Sequence, residues 1–97
     1  MPESISPSFP PGLLRQLKAQ AQLLKPTLFV GKAGVSDEFL KSLETQLAEK
    51  ELVKLKFVAF KEQKKMLCQK LLSETRSLLV MRVGNVAVLY RKNDDSA

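Results

Sequence analysis

Residues 24–34 of the chain read LKPTLFVGKAG. Pro26 predicts the end of a preceding helix, because a residue that comes before proline is disfavoured in the helical conformation. Thr27 and the apolar residues 28–30 predict a short strand, and residues 31–34 predict a tight loop with glycine at both ends. Ser36, which comes soon after, is a typical N-cap for a following helix. The stretch therefore predicts a strand, a loop and a helix in immediate succession.

Residues 31–34, which we call the glycine loop, are suited to holding a phosphate backbone. Glycine tolerates positive φ angles and lets a ligand approach the backbone closely. The N–H groups at the start of the following helix carry partial positive charge, and Lys32 adds a full charge at the tip. Lys32 and Ala33 bring no evident catalytic chemistry, which indicates holding rather than reacting. The alternative is an ordinary turn, in which glycine pairs at this spacing are common.

A first helix is predicted over residues 12–24, where apolar residues recur at helical spacing. Before it, residues 1–11 hold four of the five prolines together with three serines, which predicts a flexible tail. The other side of the helix carries Arg15, Lys18 and, at its end, Lys25. This stripe is either a solvated face or a set of phosphate contacts, and both interpretations stay open.

Two helices and a strand are predicted between the glycine loop and residue 75. Residues 37–50 have the apolar spacing of a second helix, and residues 60–75 predict a third helix with a basic outer face. Residues 51–59 alternate between apolar and polar, as in a half-buried strand, and place Lys54 and Lys56 side by side on one face. These two lysines either solubilise the strand or contact phosphates.

The chain closes with a predicted β-hairpin. Residues 78–83 and 86–90 are β-rich runs that flank Gly84 and Asn85, a strong two-residue turn signal. Nearly every position in both runs is apolar, so we expect both faces of these strands to be covered. A short acidic tail follows at residues 93–97.

The element order α-β-α-β-α-β-β predicts a single α/β domain over residues 12–92. Each strand–helix–strand unit is expected to cross right-handed to a parallel neighbour, and the final hairpin is antiparallel. The result is a mixed four-stranded sheet packed with helices.

The charge of the chain favours a polyanionic partner. The formal net charge is +6, from 16 Lys and Arg against 10 Asp and Glu. All the basic residues lie between Arg15 and Lys92, whereas Glu3, Asp94 and Asp95 lie in the tails, so the folded part is more basic than the whole. A basic domain most often binds nucleic acid. The alternative is a merely soluble basic surface.

Catalysis has no support in the composition. The chain has no histidine and one cysteine, Cys68, which excludes a histidine-dependent triad, a zinc site and an internal disulfide. A P-loop needs glycine at position 26 and Ser or Thr at position 33, where this chain has Pro26 and Ala33. We therefore expect no enzymatic activity, no cofactor, no metal and no small-molecule substrate.

The sequence has no segment that indicates a membrane or secretion. No apolar run approaches the roughly 20 residues that span a bilayer, and the N-terminus has no basic region followed by an apolar one. The default expectation is a cytoplasmic protein without a membrane partner, and we expect a monomer.

Aromatic residues are few, and most of them fall at positions in phase with the core. Phe29, Phe57 and Phe60 lie within apolar runs, and Tyr90, next to Arg91, also fits the core better than the surface. Stacking of single-stranded bases needs exposed aromatic side chains. We therefore expect recognition of backbone and shape more than of bases.

The chain resembles the CRM domain (chloroplast RNA splicing and ribosome maturation), and specifically its free-standing bacterial, YhbY-like form. The resemblance rests on LKP at 24–26, GKAG at 31–34, ELVKLK at 51–56 and VAVLYR at 86–91, in this order and spacing. It covers residues 13–92, and the proline-rich leader lies outside it.

The resemblance implies an α/β fold related to the C-terminal domain of translation initiation factor three. It also implies RNA binding through a GxxG loop similar to that of KH domains. For free-standing bacterial members it implies a role in ribosome biogenesis, through binding ribosomal RNA in precursors of the large subunit. Carried over by position, the implied RNA-binding residues are Gly31, Lys32, Ala33 and Gly34 of the loop, with Lys25, Lys54, Lys56 and Arg91 as basic neighbours.

Two rival hypotheses remain beside RNA binding. A protein-interaction factor would dock on a ribosomal protein and use its basic charge only for steering. A general DNA-binding protein would bind duplex DNA and ribosomal RNA comparably.

Overall fold

The computed structural model describes residues 11–92 of the chain. The predicted tails, 1–11 and 93–97, lie outside the described residues except for Pro11, which begins the first helix. Proline suits a first helical position, because the N–H it lacks has no partner there in any helix. The elements are α1 (Pro11–Leu23), β1 (Leu28–Val30), α2 (Asp37–Lys50), β2 (Leu52–Phe57), a 3-10 helix (Lys61–Gln63), α3 (Lys64–Thr75), β3 (Leu78–Val83) and β4 (Val86–Tyr90).

The four strands form one mixed sheet in the order β1-β2-β4-β3. β1 and β2 are parallel, whereas β4 is antiparallel to both of its neighbours, β2 and β3. The predicted mixed four-stranded sheet is confirmed. The expectation that the second strand–helix–strand unit reaches a parallel neighbour is wrong, because β4 lies between β2 and β3.

The central place of β4 follows from its composition. Ala87, Val88 and Leu89 are all buried, so this strand is covered on both faces. β3 lies at the sheet edge, where its last residues, Arg82 and Val83, are exposed. The expectation that both faces are covered is therefore confirmed for β4 and wrong for β3.

The helices divide between the two faces of the sheet. α1 packs on one face, which we call the α1 face, and α2 and α3 pack on the other. The side chains of β2 alternate between the two faces: Leu52 points to the α1 face and Val53 to the opposite face. Buried on the α1 face are Leu17, Ala21, Leu52, Val80 and Val88; buried on the other face are Val30, Leu43, Leu47, Val53, Leu55, Phe57, Cys68, Leu71, Ala87 and Leu89.

The third helix begins later than predicted. Phe60, the predicted first residue, has a left-handed backbone with φ of 55°, and the 3-10 helix separates it from Lys64, where α3 starts. β2 also ends early, at Phe57, because the N–H groups of Val58 and Ala59 turn away to bond elsewhere. The segment between β2 and α3 is thus a connection with its own geometry.

Candidate functional site

The glycine loop lies where β1 and β2 end side by side. Because these strands are parallel, their carboxyl ends meet at one edge of the sheet, which we call the loop edge. The N–H groups of Val58 and Ala59 both donate to the Val30 carbonyl oxygen, at 3.0 Å each. They hold the segment after β2 against the residue that precedes the loop. Open α/β sheets bind ligands at the carboxyl ends of their strands.

The glycine loop is a four-residue turn. The Gly34 N–H donates to the Gly31 carbonyl oxygen at 2.9 Å, which leaves Lys32 and Ala33 exposed at the tip. Gly34 has a φ of +70°, a conformation that costs other residues energy, whereas Gly31 does not have a positive φ. A Cβ built at Gly31 would meet only the Val58 Cγ2 atom, at 3.9 Å, which is an ordinary contact. The turn therefore requires glycine at position 34 but not at position 31.

The start of α2 offers less to an anion than the sequence suggested. Ser36 is the N-cap, as predicted, and its side chain accepts a hydrogen bond from the Phe39 N–H at 3.2 Å. Asp37 and Glu38 lie in the first turn and oppose a negative ligand there. Positive charge at the glycine loop therefore comes mainly from Lys32. Within the described residues, no hydrogen bond or ion pair engages the Lys32 ammonium group.

Phe60 lies against the glycine loop, which the sequence analysis did not predict. A Cβ built at Gly34 would lie 3.5 Å from the Phe60 Cε2 atom, so the ring occupies the space beside that glycine. The Phe60 side chain is 43% exposed. A sequence signal exists in hindsight, because the apolar run after Phe57 continues through Val58 and breaks the alternation of β2.

Phe29 and Lys56 lie beside each other on the α1 face. They are partners in the β1–β2 register, and Lys56 is in turn paired with Val86 of β4. The Phe29 side chain is 53% exposed, and Lys56 is exposed as well. The interpretation that most of the aromatics belong to the core is thus correct for Phe57 but wrong for Phe29 and Phe60. Tyr90 packs half-buried on the α1 face, as expected.

Two further predicted basic neighbours, Lys25 and Lys54, have different surroundings. The Lys54 Nζ atom donates to the carbonyl oxygens of Ala21 and Leu24, at 3.1 and 3.0 Å. It therefore caps the end of α1, where cations stabilise the last carbonyls. Lys25 is exposed, at the opposite end of β1 from the glycine loop. Lys56 differs from both, because it is exposed and also lies next to the loop edge.

Arg91 lies at the end of the sheet opposite the glycine loop, where β2 begins. β4 is antiparallel to β2, so Tyr90 pairs with Leu52 at the start of β2, and Arg91 follows it. Its guanidinium donates to the Glu44 carboxylate at 2.6 Å and to the Thr75 carbonyl oxygen at 3.1 Å. The expectation that Arg91 borders the loop is wrong, because the antiparallel return of β4 carries it away.

Lys64 joins the loop edge from α3, and it too was missed. Its Nζ atom donates to the Gly84 carbonyl oxygen at 2.6 Å and to the Asn85 Oδ1 atom at 3.1 Å. The Phe57 N–H also donates to the Asn85 carbonyl oxygen, at 2.7 Å. The hairpin turn is therefore fastened to the end of β2 and the start of α3. No local pattern predicts this contact, which depends on the position of β4.

Two features of residues 11–92 bear on metal binding and on thiol reactivity. Over this range, no group of three or more His, Cys, Asp and Glu side chains is placed to hold a metal ion. Burial raises the pKa of the Cys68 thiol, with a smaller opposing effect from Arg82, and thereby disfavours the reactive thiolate. Nor is any helix of this range long and apolar enough to cross a membrane.

An α/β sheet with a charged glycine turn at the carboxyl ends of its parallel strands is typical of a small binding domain. Residues 12–91 match the model of the CRS1 / YhbY (CRM) domain. The chain belongs to this family.

Two relatives are similar in sequence to this chain over most of its length. The "Probable RNA-binding protein PA4753" of Pseudomonas aeruginosa is 36% identical over 80 residues, which are 81% of this chain and 77% of that protein. The "Probable RNA-binding protein YqeI" of Bacillus subtilis is 34% identical over 83 residues, which are 84% of this chain and 86% of that protein. The fold is similar to the solution structure of the hypothetical protein SAV1595 from Staphylococcus aureus, with a TM-score of 0.75 and 27% identity over 93% of this chain and 95% of that one.

Proposed function

We propose that this protein binds RNA, specifically ribosomal RNA in precursors of the large ribosomal subunit, and acts in the cytoplasm as an assembly factor without enzymatic activity. Membership of the CRM family and the names of the relatives support the RNA part. The resemblance to free-standing bacterial members supports the ribosomal part. The observation that carries the proposal is the exposed Lys32 at the tip of a tight glycine turn on the loop edge.

The mechanism follows from the geometry of the loop. An RNA backbone approaches the exposed tip of the loop, where Lys32 neutralises a phosphate. Lys56, exposed on the neighbouring strand, supplies a second cation next to the loop edge. Lys25 lies one short strand away, since the three residues of β1 span about 10 Å. Binding is therefore electrostatic in large part and weakens with salt.

We predict that Lys32→Glu weakens binding to a large-subunit ribosomal RNA precursor and leaves the fold intact. The variant loses a phosphate contact, so the slope of log affinity against log salt decreases by about 0.7–0.9. The measurement is a binding titration over a series of salt concentrations, with circular dichroism to compare the folds.

The matched control is Lys92→Glu, which makes the same charge change at the opposite edge of the sheet. Lys92 is exposed and follows Arg91, whose N–H bonds the Glu51 carbonyl oxygen at 2.9 Å. We expect the control to keep the salt slope of the parent and most of its affinity. Equal affinities of parent and Lys32→Glu at moderate salt would refute the role of the loop.

The ribosomal part needs a test of its own. In cells that produce the parent protein, we expect it to sediment with precursors of the large subunit, and the Lys32→Glu variant to stay largely in the unbound fractions. If the parent binds the purified ribosomal RNA but no particle, the assembly role is refuted and RNA binding stands.

The second candidate is a factor that docks on a ribosomal protein. Leu23 and Met66 favour it, because both side chains are large, apolar and mostly exposed. Binding that persists at high salt and survives Lys32→Glu would support this candidate. Comparable affinity for duplex DNA and ribosomal RNA would instead support general nucleic-acid binding.

A further inference from the structure

Two exposed phenylalanines flank the glycine loop. Phe29 lies two residues before Gly31, on the α1 face, and Phe60 lies beside Gly34 on the segment that follows β2. Their side chains are 53% and 43% exposed, although apolar rings of this size are favoured in the core. Neither ring is among the buried residues of the two core clusters. The core therefore does not account for the position of either phenylalanine.

Phe60 has a backbone conformation that is unfavourable for an aromatic residue. Its φ of 55° is in the left-handed region, which is rare for an aromatic residue and costs on the order of 1–2 kcal/mol. Such outliers cluster at sites of function. Asn or glycine would occupy this backbone at lower cost, and a role for the ring at the glycine loop would account for an aromatic residue here.

Phe29 is exposed because α1 leaves part of its face uncovered. α1 packs near the start of β2, at Leu52, whereas Phe29 pairs with Lys56 near the end of β2. Beyond α1 a groove of about 400 Å³ opens on this face, lined by Lys54, Val86 and Val88 among others. Phe29 and Lys56 do not line this groove, but they lie on the same face of the sheet.

We propose that bases of unpaired nucleotides stack on Phe29 and Phe60 while their phosphates lie at the glycine loop. This inference rests on the proposed RNA binding and names the class of RNA: single strands, bulges or loops, and not a continuous duplex. Bases inside a duplex are already stacked on each other, so they are not available to either ring. Base stacking on aromatic rings is strong and tolerant of sequence.

The charges near the two rings favour nucleotides over an apolar peptide. Each phenylalanine has an exposed lysine beside it: Lys56 is the register partner of Phe29, and Lys61 follows Phe60 in the chain. Lys32 is exposed at the tip of the glycine loop that both rings adjoin. A flat ring next to a cation fits a base next to a phosphate, and arrangements of this kind hold single strands in other proteins.

The chain offers a direct spectroscopic test, because it contains no tryptophan. Phe29→Trp and Phe60→Trp each place a single indole at a proposed stacking position. We expect quenching of its fluorescence when a short single-stranded RNA binds, and little quenching with the duplex of that RNA and its complement. Ser73→Trp is the matched control, since Ser73 is exposed near the end of α3, away from the loop edge.

Affinity measurements separate stacking from hydrophobic contact. Phe29→Leu and Phe60→Leu keep apolar side chains but remove the rings, and each is expected to lower affinity for the single strand by about 5- to 150-fold. Phe29→Tyr and Phe60→Tyr keep the ring and are expected to retain the affinity of the parent. Phe60→Gly removes the ring and relieves the left-handed backbone, so a loss of binding in a fully folded Phe60→Gly variant isolates the ring.

The outcomes distinguish this inference from the proposed function. If Lys32→Glu weakens binding while both leucine variants bind like the parent, or if the duplex binds as well as the single strand, stacking is overturned and RNA binding stands. If the parent binds the ribosomal RNA precursor but neither short RNA, stacking is overturned and RNA binding stands; if it binds none of the three, both proposals are overturned. Loss of single-strand affinity in the folded leucine variants, together with quenching at positions 29 and 60 but not at 73, supports stacking.

Discussion

At the scale of single residues, the structure distinguishes two glycines that the sequence presents as equivalent. Gly34 closes the turn with a φ of +70°, so its role is conformational. Gly31 has no such φ and leaves room for a Cβ, so the fold does not require it. Glycine at position 31 leaves the backbone bare, which suits the close approach proposed for an RNA backbone. We therefore propose that Gly31 serves the binding surface, whereas Gly34 serves the turn.

Alanine substitutions should separate these two roles. Gly34→Ala is expected to lower the free energy of unfolding by about 1–2 kcal/mol, because alanine disfavours the left-handed backbone. Gly31→Ala is expected to leave that free energy nearly unchanged and to lower RNA affinity several-fold. Urea denaturation and binding titrations check both. The assignment fails if Gly31→Ala is the less stable of the two variants.

At the scale of the elements, two cations that were predicted to contact RNA hold parts of the fold together. Lys54 of β2 caps the end of α1 through two carbonyl oxygens. Arg91 follows β4 and bonds Glu44 of α2 and the last residue of α3, Thr75. Both side chains are partly buried at these contacts, so their positive charge serves the packing of helices against the sheet.

The role of Arg91 yields a prediction about stability. Arg91→Gln is expected to lower the free energy of unfolding by about 1 kcal/mol, because the ion pair with Glu44 is lost but is partly exposed to solvent. RNA affinity should not change. Lys92→Gln, at the exposed neighbour, is the control and should alter neither quantity.

A variant with reduced RNA affinity and unchanged stability would contradict this assignment. Arg91 would then belong to the RNA-binding surface, as its position in the family pattern implies.

At the scale of the whole molecule, the sequence predicted the elements well and their arrangement less well. Helix periodicity and the turn signal of the hairpin depend on local spacing, so α2, β3 and β4 have the bounds that were predicted. The insertion of β4 between β2 and β3 depends on which strand is buried on both faces, which is a property of the assembled sheet. The places of Arg91 and Lys64 follow from that insertion, and the place of Phe60 follows from the parallel pairing of β1 with β2, so local patterns missed all three.

The two outermost strands of the sheet, β1 and β3, predict the oligomeric state. β1 has only three residues, and β3 has an irregularity in its register between Leu79 and Met81 and an exposed Arg82. Short, irregular and charged edge strands resist pairing with another sheet. We therefore expect a monomer in sedimentation equilibrium at micromolar concentration, and a stable dimer would show that one of these edges does pair.

The strand order also has a consequence for the synthesis of the protein. β4 is the last strand to leave the ribosome, yet it alone joins β2 to β3. Until it emerges, β3 has no strand to pair with and cannot join the sheet. Cooperative folding must therefore wait until nearly the whole domain has been translated, and the hairpin turn that Lys64 fastens to the loop edge forms only in that final step.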